Sequence, residues 1–273
     1  MHASQRETVI LEMLRASGFV SFRDLLTRLD ASPATLRRDL DRLEGSRALA
    51  RVHGGIRLPD DLPPTSDNAR LTGVPFHENI GRHSGQKQAI GFAAARLCAP
   101  GEAVIIDGGS TTLQMCPYLA GLGLQVLTNS LHIVSALLPQ ATTRIIIPGG
   151  TLFREQNIIL SALGDDPLPQ LHAPKLFMGA AAVGPRGVMQ ADIILVASER
   201  RFIDRAEQLI LLVDSSKFAS VSGHVVCPLD EINIVITDNN IAADHVKMLE
   251  AAGVHIIVAE ISDFHRHQLQ QVA

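Results

Sequence analysis

The sequence predicts an α/β protein in two parts: a small basic head folded as a winged helix-turn-helix, then a larger domain built on a mostly parallel sheet. Three observations carry this. Charge is split along the chain: residues 1–58 hold ten Arg, no Lys and seven acids, a net of +3, whereas residues 59–273 hold fourteen bases and twenty-one acids, a net of −7. Short apolar runs alternate with helical periodicity from residue 86 onward. Between the two parts lies a stretch with Pro59, Pro63, Pro64 and Pro75 among Asp, Ser, Asn and Gly. The expected division is a head over 1–58, a linker over 59–75, a larger domain over 76–260 and a tail over 261–273.

In the head, Val9, Ile10, Met13 and Leu14 fall at helical spacing and predict a first helix near 4–16, which Gly18 ends. Ser21 is read as the cap of a second helix, with Phe22, Leu25, Leu26 and Leu29 facing inward. Asp30-Ala31 makes the turn. Ser32 is an N-cap, and Pro33 takes the first helical position, where its missing N–H costs nothing. Leu36, Leu40 and Leu43 form the buried stripe of the third helix, and Gly45 closes it. Ala48 to Arg57 reads as a two-stranded wing turning at Gly54-Gly55.

This arrangement suits double-stranded DNA. A recognition helix presents its N-terminal turns to base edges. The short side chains of Ser32, Ala34 and Thr35 permit close approach, and a Thr methyl can touch a thymine methyl. Arg37 and Arg38, off the buried stripe, can reach phosphates or guanine. Arg51 and His53 on the wing would sit near the backbone or minor groove, and Ser21 is counted among the DNA-facing residues. A protein-binding adaptor with a solvated arginine face remains the plainer alternative for the head.

The larger domain reads as helix over 86–98, strand 103–107, helix 111–119 shortened or kinked by Pro117, strand 124–128, helix 131–138, and strands 144–148 and 176–180. Helix 191–206, strands 209–214 and 232–237, helix 241–251 and strand 255–259 complete it. Apolar strands alternating with helices imply a parallel sheet covered on both faces, with ligands at the carboxyl ends of its strands. Those ends carry the notable residues. Asp107-Gly108-Gly109-Ser110-Thr111-Thr112 joins a strand to a helix: two glycines allow a tight turn with exposed N–H groups, and three hydroxyls stand at the positive end of a helix dipole. That combination fits a phosphate or carboxylate. Asp107 would repel an anion placed too close but accept from sugar hydroxyls. Thr128-Asn129-Ser130, Gly149-Gly150, Gly179 and Lys217 end other strands. Ordinary turn chemistry explains each singly, so their recurrence carries the inference.

Several classes are set aside. The loop at Gly108 is neither GxGxxG nor a Walker A loop, and it lacks the second glycine of GxSxG. Cys98, Cys116 and Cys227 lie far apart without a CxxC, which gives no disulfide framework. The eleven His are scattered, so no metal site is expected; Asp263, His265 and His267 fall in a polar tail. The uncharged stretch 108–143 is interrupted by polar residues and never reaches membrane-spanning length. The polar N-terminus gives no signal peptide, so a cytoplasmic protein without cofactor is expected.

The run Ser32-Pro33-Ala34-Thr35-Leu36-Arg37-Arg38-Asp39-Leu40, followed by Arg51-Val52-His53-Gly54-Gly55, resembles the N-terminal domain of the DeoR family of bacterial sugar-metabolism regulators. The resemblance extends over roughly 5–260: Gln86-Lys87, the Asp107–Thr112 loop, Thr128-Asn129-Ser130, Gly149-Gly150, Phe177-Met178-Gly179, Asp214-Ser215-Ser216-Lys217-Phe218, Val226-Cys227-Pro228-Leu229 and Ile236-Thr237-Asp238. It departs at Gln86, where Glu is common, and at Gly-Gly-Ser-Thr-Thr, where Gly-Thr-Thr-Thr is common. The resemblance implies a winged helix-turn-helix before an effector domain related to ribose-5-phosphate isomerase. It further implies a repressor of a carbohydrate operon that reads operator DNA as a homodimer or homotetramer. A phosphorylated sugar or sugar acid would be held by Lys87, Asp107, Gly108, Gly109, Ser110, Thr111, Thr112, Asn129, Gly149, Gly150, Gly179 and Lys217. An isomerase-type enzyme stays open for the larger domain, with Asp107 and Lys217 as part of its proton-transfer set.

Overall fold

A computed structural model of the chain describes residues 6, 7, 9–11, 13, 14, 19–29, 31–45, 48–52, 55–57, 76–160 and 171–261. The chain divides into two compact units, Met1–Ser66 and Asp67–Ala273.

In the first unit, residues 6, 7, 9–11, 13 and 14 are helical and are labelled α1. They are followed by β1 (Phe19–Ser21), α2 (Phe22–Arg28), α3 (Pro33–Gly45), β2 (Ala50–Val52) and β3 (Gly55–Arg57). The apolar periodicity of the three helices converges on one core of Ile10, Leu14, Leu25, Leu36, Leu40, Leu49 and Ile56. The three strands form one antiparallel sheet in the order β1-β3-β2. Ser21 immediately precedes α2, the cap position expected of it. It is also the last residue of β1, opposite Gly55. Val20 beside it is buried opposite Ile56, so burying that pair captures the segment as a strand. The Gly54 turn lies outside the described residues.

The second unit opens with α4 (Phe76–Asn79) and α5 (Ser84–Ala95). Its frame is a seven-stranded sheet of β4 (Ala103–Ile106), β5 (Gln125–Leu127), β6 (Arg144–Ile146), β9 (Ala173–Met178), β12 (Ala206–Leu212), β14 (Ile234–Asp238) and β15 (His255–Ala259). All its neighbours pair in parallel, in the order β15-β14-β12-β9-β4-β5-β6. Alternate residues feed opposite faces: Val104 and Ile106 join the core under α5, while Ile105 joins the core that holds Phe202 and Leu249. Strand order runs one way from β4 through β5 to β6. It then restarts at β9 and runs the other way, which makes the β4/β9 boundary the topological switch point.

Four features depart from the sequence expectation. Residues Thr112–Tyr118 form a 3-10 helix rather than an α-helix. Pro117 lacks the N–H that an α-helical turn needs there, and the 3-10 turn packs against Gly91 of α5, where a Cβ would lie 2.5 Å from the Gln114 carbonyl carbon. Antiparallel β7 (Thr151–Phe153) and β8 (Ile158–Leu160) make a hairpin after β6. A second small sheet, β10 (Ala182–Gly184), β11 (Gly187–Gln190) and β13 (His224–Cys227), is also antiparallel. Helix α6 (Leu131–Leu137) falls as expected, whereas α7 (Ile193–Ile203) and α8 (Ala243–Ala251) are trimmed at their ends. Among the described residues no helix is long and apolar enough to cross a membrane, and no group of three His, Cys, Asp or Glu forms a metal cage.

Candidate nucleic-acid interface and effector site

Helix α3 begins as its sequence dictates. The Thr35 N–H donates to Ser32 Oγ at 3.2 Å, and the two hydroxyl oxygens stand 2.9 Å apart. Ser32, Ala34, Arg37 and Arg38 are exposed, and Thr35 is half-buried. The opposite face is fixed by Leu36, Leu40 and Leu43, and by a carboxylate the sequence did not single out. Asp39 is 1% exposed and receives a bidentate pair from Arg6, with Nε at 2.7 Å and Nη2 at 3.2 Å. Arg42 reaches the same carboxylate at 3.5 Å and Glu7 at 2.9 Å. The Asp39 contact raises the affinity of the Arg6 guanidinium for its proton. Helices α1 and α3 are thus clamped by charge as well as by apolar packing. Arg37 has a second role beside any contact with DNA, since its guanidinium lies 5.6 Å from the Phe22 ring centroid. Arg51 stands on β2 opposite Ile56, and His53 lies outside the described residues.

In the second unit, the loop after β4 lies at the switch point. The Asp107 N–H donates to the Phe177 carbonyl at 2.9 Å, which binds β4 to β9 at their carboxyl ends. Gly108 N donates to Asn129 Oδ1 at 3.1 Å, and Asn129 Nδ2 sits 3.5 Å from Asp107 Oδ1. Gly108 has no room for a side chain: a Cβ would lie 2.6 Å from Ile158 Cγ2. Ser110 and Thr111 are buried beside it. Thr112 departs from its expected role. Its hydroxyl turns inward, donating to the carbonyls of Asp107 at 2.7 Å and Gly109 at 3.0 Å, and fastens the loop. Burial pushes the Asp107 carboxyl up to about 6, against the lowering effect of Gly108 and Asn129.

One strand beyond β9, the chain after β12 turns through Asp214 into the 3-10 segment Ser215–Phe218. Asp238, at the end of β14, pins it by accepting from Ser215 N at 2.7 Å and Ser215 Oγ at 3.0 Å. Lys217 and Lys87 both sense Asp214 and Arg82 here. Burial lowers Lys217 first, Asp214 opposes that, and Arg82 adds to it. Lys87, 1% exposed, is lowered to about 8 by burial, with Lys217 and Arg82 adding and Asp214 opposing. Its Nζ donates to the backbone carbonyl of Asn79 and, at 3.2 Å, to Asn79 Oδ1. Arg82 also pairs with Glu78 at 3.7 Å, so three cations meet two carboxylates here and leave one positive charge in excess, which an anion would relieve. Gly179, at the end of the intervening β9, would point a Cβ into open space. Gly149 and Gly150 are exposed beyond β6, the far edge strand.

Residues 6–61 match the family model of the DeoR-like helix-turn-helix domain, and residues 82–239 match that of the DeoR C terminal sensor domain. The chain belongs to the DeoR family. The HTH-type transcriptional regulator UlaR of Shigella dysenteriae serotype 1 (strain Sd197) is 32% identical over 258 residues, covering 94% of this chain and 99% of that protein. UlaR of Escherichia coli (strain K12 / DH10B) has the same identity and coverage. Among solved structures, ribose 5-phosphate isomerase A of Methanocaldococcus jannaschii aligns with 48% of this chain and 53% of its own, at 15% identity and a TM-score of 0.35.

Within this DeoR-family chain, sequence reasoning missed Arg82, Gln190, Ser198 and Glu199. Arg82 stands in the turn between α4 and α5 and carried no periodic signal. Ser198 and Glu199 sit on α7, where Asn129 Nδ2 lies 3.4 Å from Ser198 Oγ and Gln190 Nε2 donates to Glu199 Oε1 at 2.5 Å. The sequence reading gave only a helix over 191–206, with no sign that Glu199 is buried on it.

Proposed function

We propose that the protein represses a carbohydrate-metabolism operon and is released from its operator by a phosphorylated sugar or sugar acid. The observation that supports this most is the pairing, in one chain, of a recognition-type helix with Lys87, Lys217 and Arg82, which act on one another near the carboxyl end of β12, one strand from the switch point. Ala34, Thr35, Arg37 and Arg38 would face the major groove, with Arg51 and His53 beside it. Lys87 and Lys217 would hold the anionic group, the Gly108–Thr111 backbone would line it, and Asp107 and Asn129 would accept and donate toward sugar hydroxyls. Gly149 and Gly150 would stand at the outer rim.

The regulator reading is preferred over an isomerase because an enzyme has no use for the head. The protein would act in the cytoplasm as a homodimer or homotetramer, because one small head reads too few base pairs for genomic specificity. A 100-fold preference of effector for the DNA-free arrangement supplies roughly 2.7 kcal/mol, enough to weaken an operator complex. The test is the pair Lys87→Met and Lys217→Met. Together they should leave operator affinity intact and abolish release by effector. Loss of DNA binding in the folded double variant would refute this division of labour.

A further inference from the structure

Glu199 is 3% exposed, and its partners account for only half of its carboxyl. Oε1 accepts from Gln190 Nε2 at 2.5 Å, whereas Oε2, equally buried, has no hydrogen-bond partner among the described residues. Nearby are Asp107 at the end of β4, whose charge acts on Glu199, and Asn129 at the end of β5, which spans Asp107 and Ser198 at 3.5 and 3.4 Å. Burial first, and the charge of Asp107 after it, raise the affinity of the Glu199 carboxyl for its proton well above the ordinary range, with the Gln190 contact opposing. With Oε1 occupied by an amide hydrogen, that proton belongs on Oε2. The result is a buried donor with no acceptor, beside an amide and a hydroxyl already oriented by their own hydrogen bonds. Native proteins rarely leave such a group unpaired unless something else completes it.

We propose that Glu199, Gln190 and Ser198 form an uncharged subsite that hydrogen-bonds a hydroxyl or carbonyl oxygen on the carbon chain of the effector, at the end opposite Lys87 and Lys217. This rests on the effector reading above and narrows it to a phosphorylated sugar with a neutral far end. A carboxylate there would lie against Asp107. Asn129 and Asp107, which adjoin the subsite, follow β5 and β4, whereas Lys217 follows β12, two strands from β4 and so about 10 Å away at the usual strand spacing.

The experiment is calorimetric titration of the full chain with inorganic phosphate, ribose 5-phosphate, glucose 6-phosphate, fructose 6-phosphate and 6-phosphogluconate. At least one neutral sugar phosphate should bind about tenfold or more tighter than phosphate. Glu199→Leu should remove that margin and leave phosphate affinity within about twofold, whereas Glu199→Gln, which keeps a donor, should retain most of it. A Leu variant that keeps the margin, or tightest binding of 6-phosphogluconate, overturns the subsite. If Glu199→Leu does not fold, infrared difference spectra of the unmutated protein decide. The protonated-carboxyl band that Glu199→Gln abolishes should shift with the sugar phosphate and not with phosphate, and a fixed band overturns the proposal. Phosphate binding with no gain from any sugar sinks the subsite alone. No binding of phosphate or any sugar sinks the effector reading with it.

Discussion

Replacing Asp39 by Ala should unfold the head well below the temperature at which the second unit melts. Asp39 is buried at 1% exposure and holds Arg6, itself 10% exposed, at 2.7 and 3.2 Å. Removing one partner of such a pair leaves the other charge uncompensated, which costs about 3–5 kcal/mol. Arg6 retains Glu7 nearby, which also raises its proton affinity, so the lower figure applies. For a unit the size of Met1–Ser66, about 3 kcal/mol lowers the melting temperature by roughly 10–20 °C. Differential scanning calorimetry of the full chain reads the two units as separate transitions. Arg6→Met combined with Asp39→Leu removes both charges and should recover stability to within about 1 kcal/mol of the original. A single variant within about 0.5 kcal/mol of wild type would refute the claim that this pair clamps α3. A double variant as unstable as the single one would refute Arg6 as the partner.

Other outcomes follow from the same geometry. Lys87 has a folded pKa of about 8 against an ordinary 10.5, so the folded state binds fewer protons between those values. Its contribution to effector-free stability should rise between pH 8 and 10.5 by about 3 kcal/mol, and Lys87→Met should abolish that rise in urea midpoints. Effector affinity should fall as pH climbs through about 8, because the neutral amine no longer attracts an anion. Gly108→Ala should cost about 1–3 kcal/mol and weaken effector binding, since the new methyl meets Ile158 Cγ2 at 2.6 Å. Arg38→Ala should weaken binding to all DNA alike, whereas Thr35→Ala should mainly blur sequence preference; competition assays with mutated operators separate the two.

What the sequence disclosed depended on repetition. Helix α3 was legible because Ser32, Pro33 and the Leu36–Leu40–Leu43 stripe all specify one helix. The parallel strands were legible because burial on both faces makes them continuous apolar runs, such as Ala103–Ile106. Three-residue strands carry no period, so neither β1 nor the β7–β8 hairpin was legible as a strand. The 3-10 turn at Thr112 hid because its apolar pattern suits an α-helix, and only Pro117 argued otherwise. Asp107 and Lys217 stood out because they end strands beside glycines and hydroxyls, whereas Lys87 was named only through the family resemblance. Arg6 with Asp39 and Asn129 with Ser198 were not, being 33 and 69 residues apart. Long-range polar pairs leave no trace in local pattern.

The central claim is that one molecule binds DNA through its head and lets go when an anionic sugar reaches the second unit. Fluorescence anisotropy with DNA from upstream of its own gene tests this most directly, titrated over salt with and without sugar phosphates and sugar acids. If a dimer neutralises about six phosphates, log affinity should fall with log salt at a slope near −5, and one compound should release the complex. A slope near zero, or DNA binding that no phosphorylated sugar or sugar acid alters, would contradict the account.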